Sequence, residues 1–161
     1  MMSDSSPQPL SFDPETLAQT RRVELNITSD PANLGPARHA VESLCAACGF
    51  DDTSTGEVGL VVNEALANIT RHAYGGAINR PIQIIAQCPD DELQITIRDW
   101  GNGESPIVLP DVPHDPLKPG GIGLICLRQL MDQTIFTPQD DGMLLTMTRK
   151  RSRPSMERAN G

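Results

Sequence analysis

Long apolar runs are missing from this 161-residue chain, and nothing approaches the ~20 apolar residues that a membrane-crossing helix needs. Its opening residues lack the apolar core of a signal peptide, so a cytoplasmic protein with no membrane partner is expected. Aromatics are scarce: Phe12, Phe50, Tyr74, Trp100 and Phe136 are all there are, so the core must be aliphatic. Positive charge is also short, with 13 Lys and Arg against 21 Asp and Glu and a net charge of -8. That balance argues against a phosphate-backbone footprint, hence against a direct nucleic-acid partner. The exception is a basic end, where Arg149, Lys150, Arg151, Arg153 and Arg158 face only Glu157, read as a solvated tail. Cys45-x-x-Cys48 has no second ligand pair and lies in a helical pattern, so its cysteines read as small buried hydrophobes. No G-K-[ST] follows a Gly-rich loop, which removes a P-loop. Arg98-Asp99-Trp100-Gly101 has no upstream Gly-rich loop or strand lysine to make a eukaryotic-type kinase. His39, His72 and His114 do not form a phosphoacceptor helix pair; His72 reads as a core histidine and His114 as a solvated one.

What remains is a single domain large enough for a core without staples. Residues 1–19 are polar and punctuated by proline, and are expected to be a loose N-terminal segment. A domain over residues 20–150 follows, with residues 151–161 as the tail. Val23, Leu25 and Ile27 alternate in a strand. Asp30 and Pro31 open a helix that Gly49 stops, with Leu34, Ala37, Val41, Leu44 and Cys48 as its buried stripe. Asp51 opens a second helix running to Tyr74, where Gly75-Gly76 ends it. A hairpin turning at Pro89-Asp90-Asp91 is next, its strands marked by Ile82, Ile84, Ala86, Cys88 and by Leu93, Ile95, Ile97. Pro106, Pro110, Pro113, Pro116 and Pro119 forbid helix and central strand, so residues 103–120 read as a lid or loose loop. A helix through Leu124, Leu127, Leu130 and Met131 and two final strands, residues 133–137 and 143–149, complete the chain. The expected class is α+β: a mixed, mostly antiparallel sheet covered on one face by about three helices.

Three stretches carry chemistry. On the second helix, Glu64, Asn68 and Arg71 stand at i, i+4 and i+7, one face, with Leu60, Val61 and Ala67 beside them. A carboxylate, a carboxamide and a guanidinium in line can address a metal–phosphate ligand. At the end of the hairpin's second strand, Asp99 continues the core-facing parity of Leu93, Ile95 and Ile97, so its carboxylate requires a specific partner. Gly121-x-Gly123 then stands at a helix start, where free N–H groups and the helix dipole favour phosphate. Each stretch alone has an ordinary explanation, as a boundary helix, a turn or a loop; their order is the informative feature.

In that order the chain resembles the GHKL (Bergerat-fold) ATPase superfamily, and within it the anti-sigma-factor serine-protein kinases of bacterial partner-switching systems. Residues 63–74 are similar to the N box, Asp99-Trp100-Gly101-Asn102-Gly103 to the G1 box, and Pro119-Gly120-Gly121-Ile122-Gly123-Leu124 to the G2 box. The resemblance spans residues 20–150 and implies ATP and Mg²⁺ as cofactors. Asp99 would accept from the adenine amino group, with Gly101 and Gly103 admitting the base and ribose. Asn68 would hold the metal. Gly121 and Gly123 would turn N–H groups onto the phosphates, with Leu124 beside them. Glu64 would be the general base. Helical phase and lid position add Arg71 and Lys118 as phosphate contacts. One departure stands out: Met143 follows Gly142 where the family usually has a threonine, and Thr146 has the outward parity.

The resemblance also implies a small anti-sigma-factor antagonist, phosphorylated on serine, as partner. It allows a sigma factor as a second partner and a homodimer. Two rivals remain: an ATP-binding module that captures its partner without turnover, and a nucleotide-gated regulator of a phosphatase or response regulator.

Overall fold

A computed structural model of the chain describes residues 13–101 and 127–151. The first helix, α1 (Pro14–Thr20), starts where Asp13 accepts from the Thr16 N–H at 3.2 Å and Pro14 supplies a preset φ. Leu17 on this helix is buried. The expected loose segment, residues 1–19, is therefore helical over residues 14–19: one leucine and a good cap outweigh the polar composition around them.

Strand β1 (Arg22–Thr28) sends Val23 and Leu25 inward. The next helix opens with a short 3₁₀ turn, Pro31–Asn33, capped by Asp30, before α2 (Leu34–Ala47) begins. Its inner face is Ala37, Ala40, Val41, Leu44 and Cys45. Helix α3 (Asp52–Asn68) is capped by Asp51 and packs beside α2. The approach is close at Gly59, where an added Cβ would fall 2.2 Å from the Glu42 carboxylate. Beyond Asn68 the helix does not stop but widens into a π turn, Ile69–Ala73, closed by the Tyr74 N–H on the Ile69 carbonyl at 3.0 Å.

Strands β2 (Pro81–Gln87), β3 (Glu92–Asp99), β4 (Gln133–Gln139) and β5 (Gly142–Lys150) complete a five-stranded sheet in the order β1-β2-β3-β5-β4. The class is α+β, as expected, and each of the four strand pairings is antiparallel. Ile82, Ile84, Ala86, Leu93, Ile95, Ile97, Leu145 and Met147 form the buried face and meet the helices in one core. Glu24, Asn26, Gln83, Gln94, Thr96 and Thr146 take the other parity and are half-buried or exposed. Leu127 and Met131, at the end of the last helical turn, close the core. Cys45, Cys48 and Cys88 are buried within it, and burial pushes the Cys45 thiol up to about 12 and the Cys88 thiol up to about 11. These thiols behave as apolar packing, as the isolated C-x-x-C predicts. Among the described residues no group of three or more His, Cys, Asp or Glu could hold a metal ion.

The basic end is less loose than its charge implies. Arg149 lies in β5 and donates to Glu57 at 2.8 Å, to the Leu130 carbonyl at 2.6 Å and to Ser54 at 3.2 Å. Arg151 pairs with Asp91 at 2.7 Å. Strand continuation and three partners hold Arg149, so the tail reading does not apply to it or to Arg151. Arg149→Met should lower stability by about 2 kcal/mol, because Glu57 and the Leu130 carbonyl lose a charged donor. Urea unfolding should show a lower midpoint at unchanged m-value; an unchanged midpoint would mean that the pair contributes nothing.

Candidate functional site

The site is assembled where the C-terminal end of the α3–π helix meets the C-terminal end of β3. Asp99, the last residue of β3, is 5% exposed and follows the inward parity of Ile95 and Ile97. Its Oδ1 accepts from the Gly101 N–H at 3.0 Å, which folds the chain back just past the strand. Burial pushes the Asp99 carboxyl above its ordinary value, opposed by the Gly101 N–H, the Arg98 guanidinium and the Met143 N–H. An ionised carboxylate has about four lone-pair sites, so one intramolecular bond to Oδ1 leaves acceptor capacity for a ligand donor. That free acceptor capacity fits an exocyclic amine such as that of adenine.

Two glycines let neighbouring chain segments close in around the end of β3. An added Cβ at Gly101 would come within 2.8 Å of both the Ala73 side chain and its carbonyl oxygen. At Gly142, φ is 154° and a Cβ would lie 2.0 Å from the Asp99 carbonyl oxygen. Met143 pairs with Asp99 across the β3–β5 ladder. Leu145 and Met147 are buried while Thr146 is only half-buried, matching the predicted parity.

Glu64 and Asn68 lie one turn apart on α3, both half-buried, and the Asn68 side chain makes no capping bond. A carboxamide in that state can offer its oxygen to a hard cation such as Mg²⁺. Arg71 is exposed and belongs to the π turn, so it leaves the straight α register that aligned it with Glu64. The same turn overturns the expectation for His72. That residue is exposed rather than in the core, because the wider turn carries it outward while Thr70 occupies the buried side. His72 borders a pocket of about 430 Å³ together with Tyr74, Arg80 and Gly101. Gly103, Lys118, Gly121, Gly123 and Leu124, like the lid and His114, lie outside the described residues.

Sequence reasoning missed Tyr74. It is the last apolar residue before Gly75-Gly76 and reads as a helix end. Its hydroxyl accepts from the Trp100 N–H at 2.8 Å and donates to the Pro81 carbonyl at 2.5 Å. Arg80 stacks over its ring at 5.3 Å and donates to the Trp100 carbonyl at 2.9 Å. Burial raises the Tyr74 phenol, which keeps it protonated as both donor and acceptor. An aromatic hydroxyl in an aromatic-poor chain, just ahead of a glycine pair, was the available signal.

Residues 27–149 match the family described as the histidine kinase-like ATPase domain, and the chain belongs to that family. Membership implies that the domain uses ATP. Among relatives, a serine-protein kinase RsbW of Oceanobacillus iheyensis is 27% identical over 131 residues, covering 76% of this chain and 83% of that protein. The serine-protein kinase RsbW of Bacillus subtilis is 24% identical over 135 residues, covering 79% and 84%. The RsbU and RsbW domains of a Mycobacterium tuberculosis protein superpose with a TM-score of 0.62 at 16% identity, over 83% of this chain and 33% of that one. A blue-light activated histidine kinase of Erythrobacter litoralis gives 0.51 at 20% identity, over 76% and 43%. The chain thus spans less than half of either solved structure, and at these identities the likeness concerns the fold alone.

A buried carboxyl whose pKa rises on folding binds protons more tightly in the folded chain than in the unfolded one. Its contribution is therefore most favourable below the ordinary value of 3.8 and declines as pH climbs through the raised value. Asp99→Asn, which cannot ionise, should gain stability relative to the parent from acid to neutral pH when no nucleotide is present. Urea midpoints for both proteins across that range check this; a difference that does not change with pH would contradict it.

Proposed function

We propose that the chain is an ATP- and Mg²⁺-dependent serine-protein kinase and anti-sigma factor of a bacterial partner-switching pathway. Its substrate would be a serine on a small anti-sigma-factor antagonist, and a sigma factor is its second partner. A cytoplasmic location follows from that role. The observation that supports the reading best is the buried Asp99 carboxylate, set against the far end of the same helix that carries Glu64 and Asn68. The names of the relatives point to the same activity.

The chemistry follows from positioning and charge. Asp99 would take the adenine amino group, which selects the base. Asn68 would hold Mg²⁺, and the bound ion neutralises charge on the phosphates. Glu64 would orient the serine hydroxyl of the partner and receive its proton. The serine oxygen then bonds to the γ-phosphorus, the bond from that phosphorus to the β–γ bridging oxygen breaks, and ADP leaves. Arg71 and Lys118 would supply positive charge near the phosphates, while Gly103, Gly121, Gly123 and Leu124 would belong to the nucleotide cradle.

With radiolabelled ATP and a small anti-sigma-factor antagonist, label should appear on a serine of the partner. Glu64→Ala should slow transfer by about 10²–10⁴-fold while ATP affinity is kept. Tight ATP binding with no transfer from the parent protein would instead make the chain a capture module.

A further inference from the structure

Just past Asp99, the two peptide units that flank the Trp100 Cα are each held by a side chain from a different part of the chain. The Trp100 N–H goes to the Tyr74 hydroxyl at 2.8 Å and the Trp100 carbonyl accepts from Arg80 at 2.9 Å. These two holders are themselves fixed. The Tyr74 hydroxyl is tied to the Pro81 carbonyl, and its ring lies under the Arg80 guanidinium. The Arg80 backbone is clamped to the buried Ser29: its N–H donates to Ser29 Oγ at 3.1 Å, and its carbonyl accepts from the Ser29 N–H at 2.8 Å. Ser29 Oγ donates in turn to the Ala77 carbonyl at 2.5 Å. On the next residue, the Gly101 N–H donates to the Asp99 carboxylate, which the Met143 N–H also faces. Trp100 thus links a rigid frame on one side to the base-reading group on the other.

We propose that Tyr74 and Arg80 form a positioning pair for base recognition: Tyr74 holds the peptide that joins Asp99 to Trp100 and Arg80 the one that carries the Gly101 N–H, and together they fix the direction in which Asp99 presents its oxygens to the nucleobase. The inference rests on the assignment of Asp99 to adenine. A side chain that misses its hydrogen-bonding direction loses discrimination as well as affinity, because the specificity of a polar site depends on leaving no partner unpaired. In this role the pair acts on the base through Asp99, which sets it apart from groups that would hold the phosphates. Tyr74→Phe keeps the ring and its cation–π partner but removes both hydroxyl bonds. Arg80→Met removes the carbonyl bond from an exposed side chain and leaves the helix end intact.

The test is ATP and GTP affinity, by calorimetry with Mg²⁺, for the parent, Tyr74→Phe, Arg80→Met, Asp99→Asn and Tyr74→Phe combined with Asp99→Asn. Tyr74→Phe should lower the ATP:GTP affinity ratio about ten-fold, and Arg80→Met by a smaller factor in the same direction. In the Asp99→Asn background, Tyr74→Phe should leave the ratio unchanged, since the group it positions is gone. Because Trp100 is the single tryptophan, its emission should also shift in Tyr74→Phe without nucleotide. A lowered thermal midpoint with the parent's ATP:GTP ratio would reduce Tyr74 to a structural role and overturn the proposal. Should Tyr74→Phe fail to fold, Arg80→Met decides on the same ratio. If Asp99→Asn itself keeps the parent's ratio, the adenine assignment falls and the positioning role falls with it; if only the Tyr74 and Arg80 variants keep it, the positioning role alone is lost.

Discussion

A carboxylate at the end of a central strand, pointing the way the core residues point, is the constraint around which this protein is arranged. Burial disfavours the charge on Asp99, and the chain offsets that in part with backbone donors from Gly101 and Met143 and with the neighbouring Arg98 guanidinium. Those donors require backbones to come very near. Glycine at 101 and 142 permits the approach, and the helix end carrying Ala73 and Tyr74 is packed against the same turn. A fold seeking only stability would put valine or isoleucine at residue 99, as it does two and four residues earlier.

The neighbouring helix shows the same preference for chemistry over economy. Half-buried Glu64 and Asn68 sit one turn apart beside an otherwise aliphatic face, and in the proposed role a metal ion bound with phosphates would give the Asn68 oxygen a partner that an aliphatic face does not. On the proposed assignment, affinity for nucleotide and stability of the empty chain would draw on overlapping groups. Binding should stiffen the region that is least comfortable without it.

Much of this was legible in the residues alone. Strict alternation at Leu93, Ile95, Ile97 and Asp99 gave both the strand and the inward carboxylate, since a period of two leaves no other face. The caps Asp30 and Asp51 marked helix starts to within a residue or two. What escaped was set by tertiary contact. Leu17 orders α1 by reaching the core, and Arg149 is immobilised by Glu57, which lies 92 positions away. The π turn also escaped, because residues 69–73 suit a regular helix as well as a widened one. Its phase change moved His72 out of the core and Arg71 out of line. Tyr74 was hidden for a related reason: a hydroxyl joining two strand ends has no local pattern.

The widened turn has a bearing on how such a chain can vary. Deleting one residue between 69 and 73 would restore ordinary i→i−4 bonding and make a more regular helix. It would also draw the tyrosine back by one position and unhook its oxygen from the tryptophan amide. A gap of one in this stretch, harmless by helix propensity, would therefore separate relatives that share the frame from those that merely share the sheet.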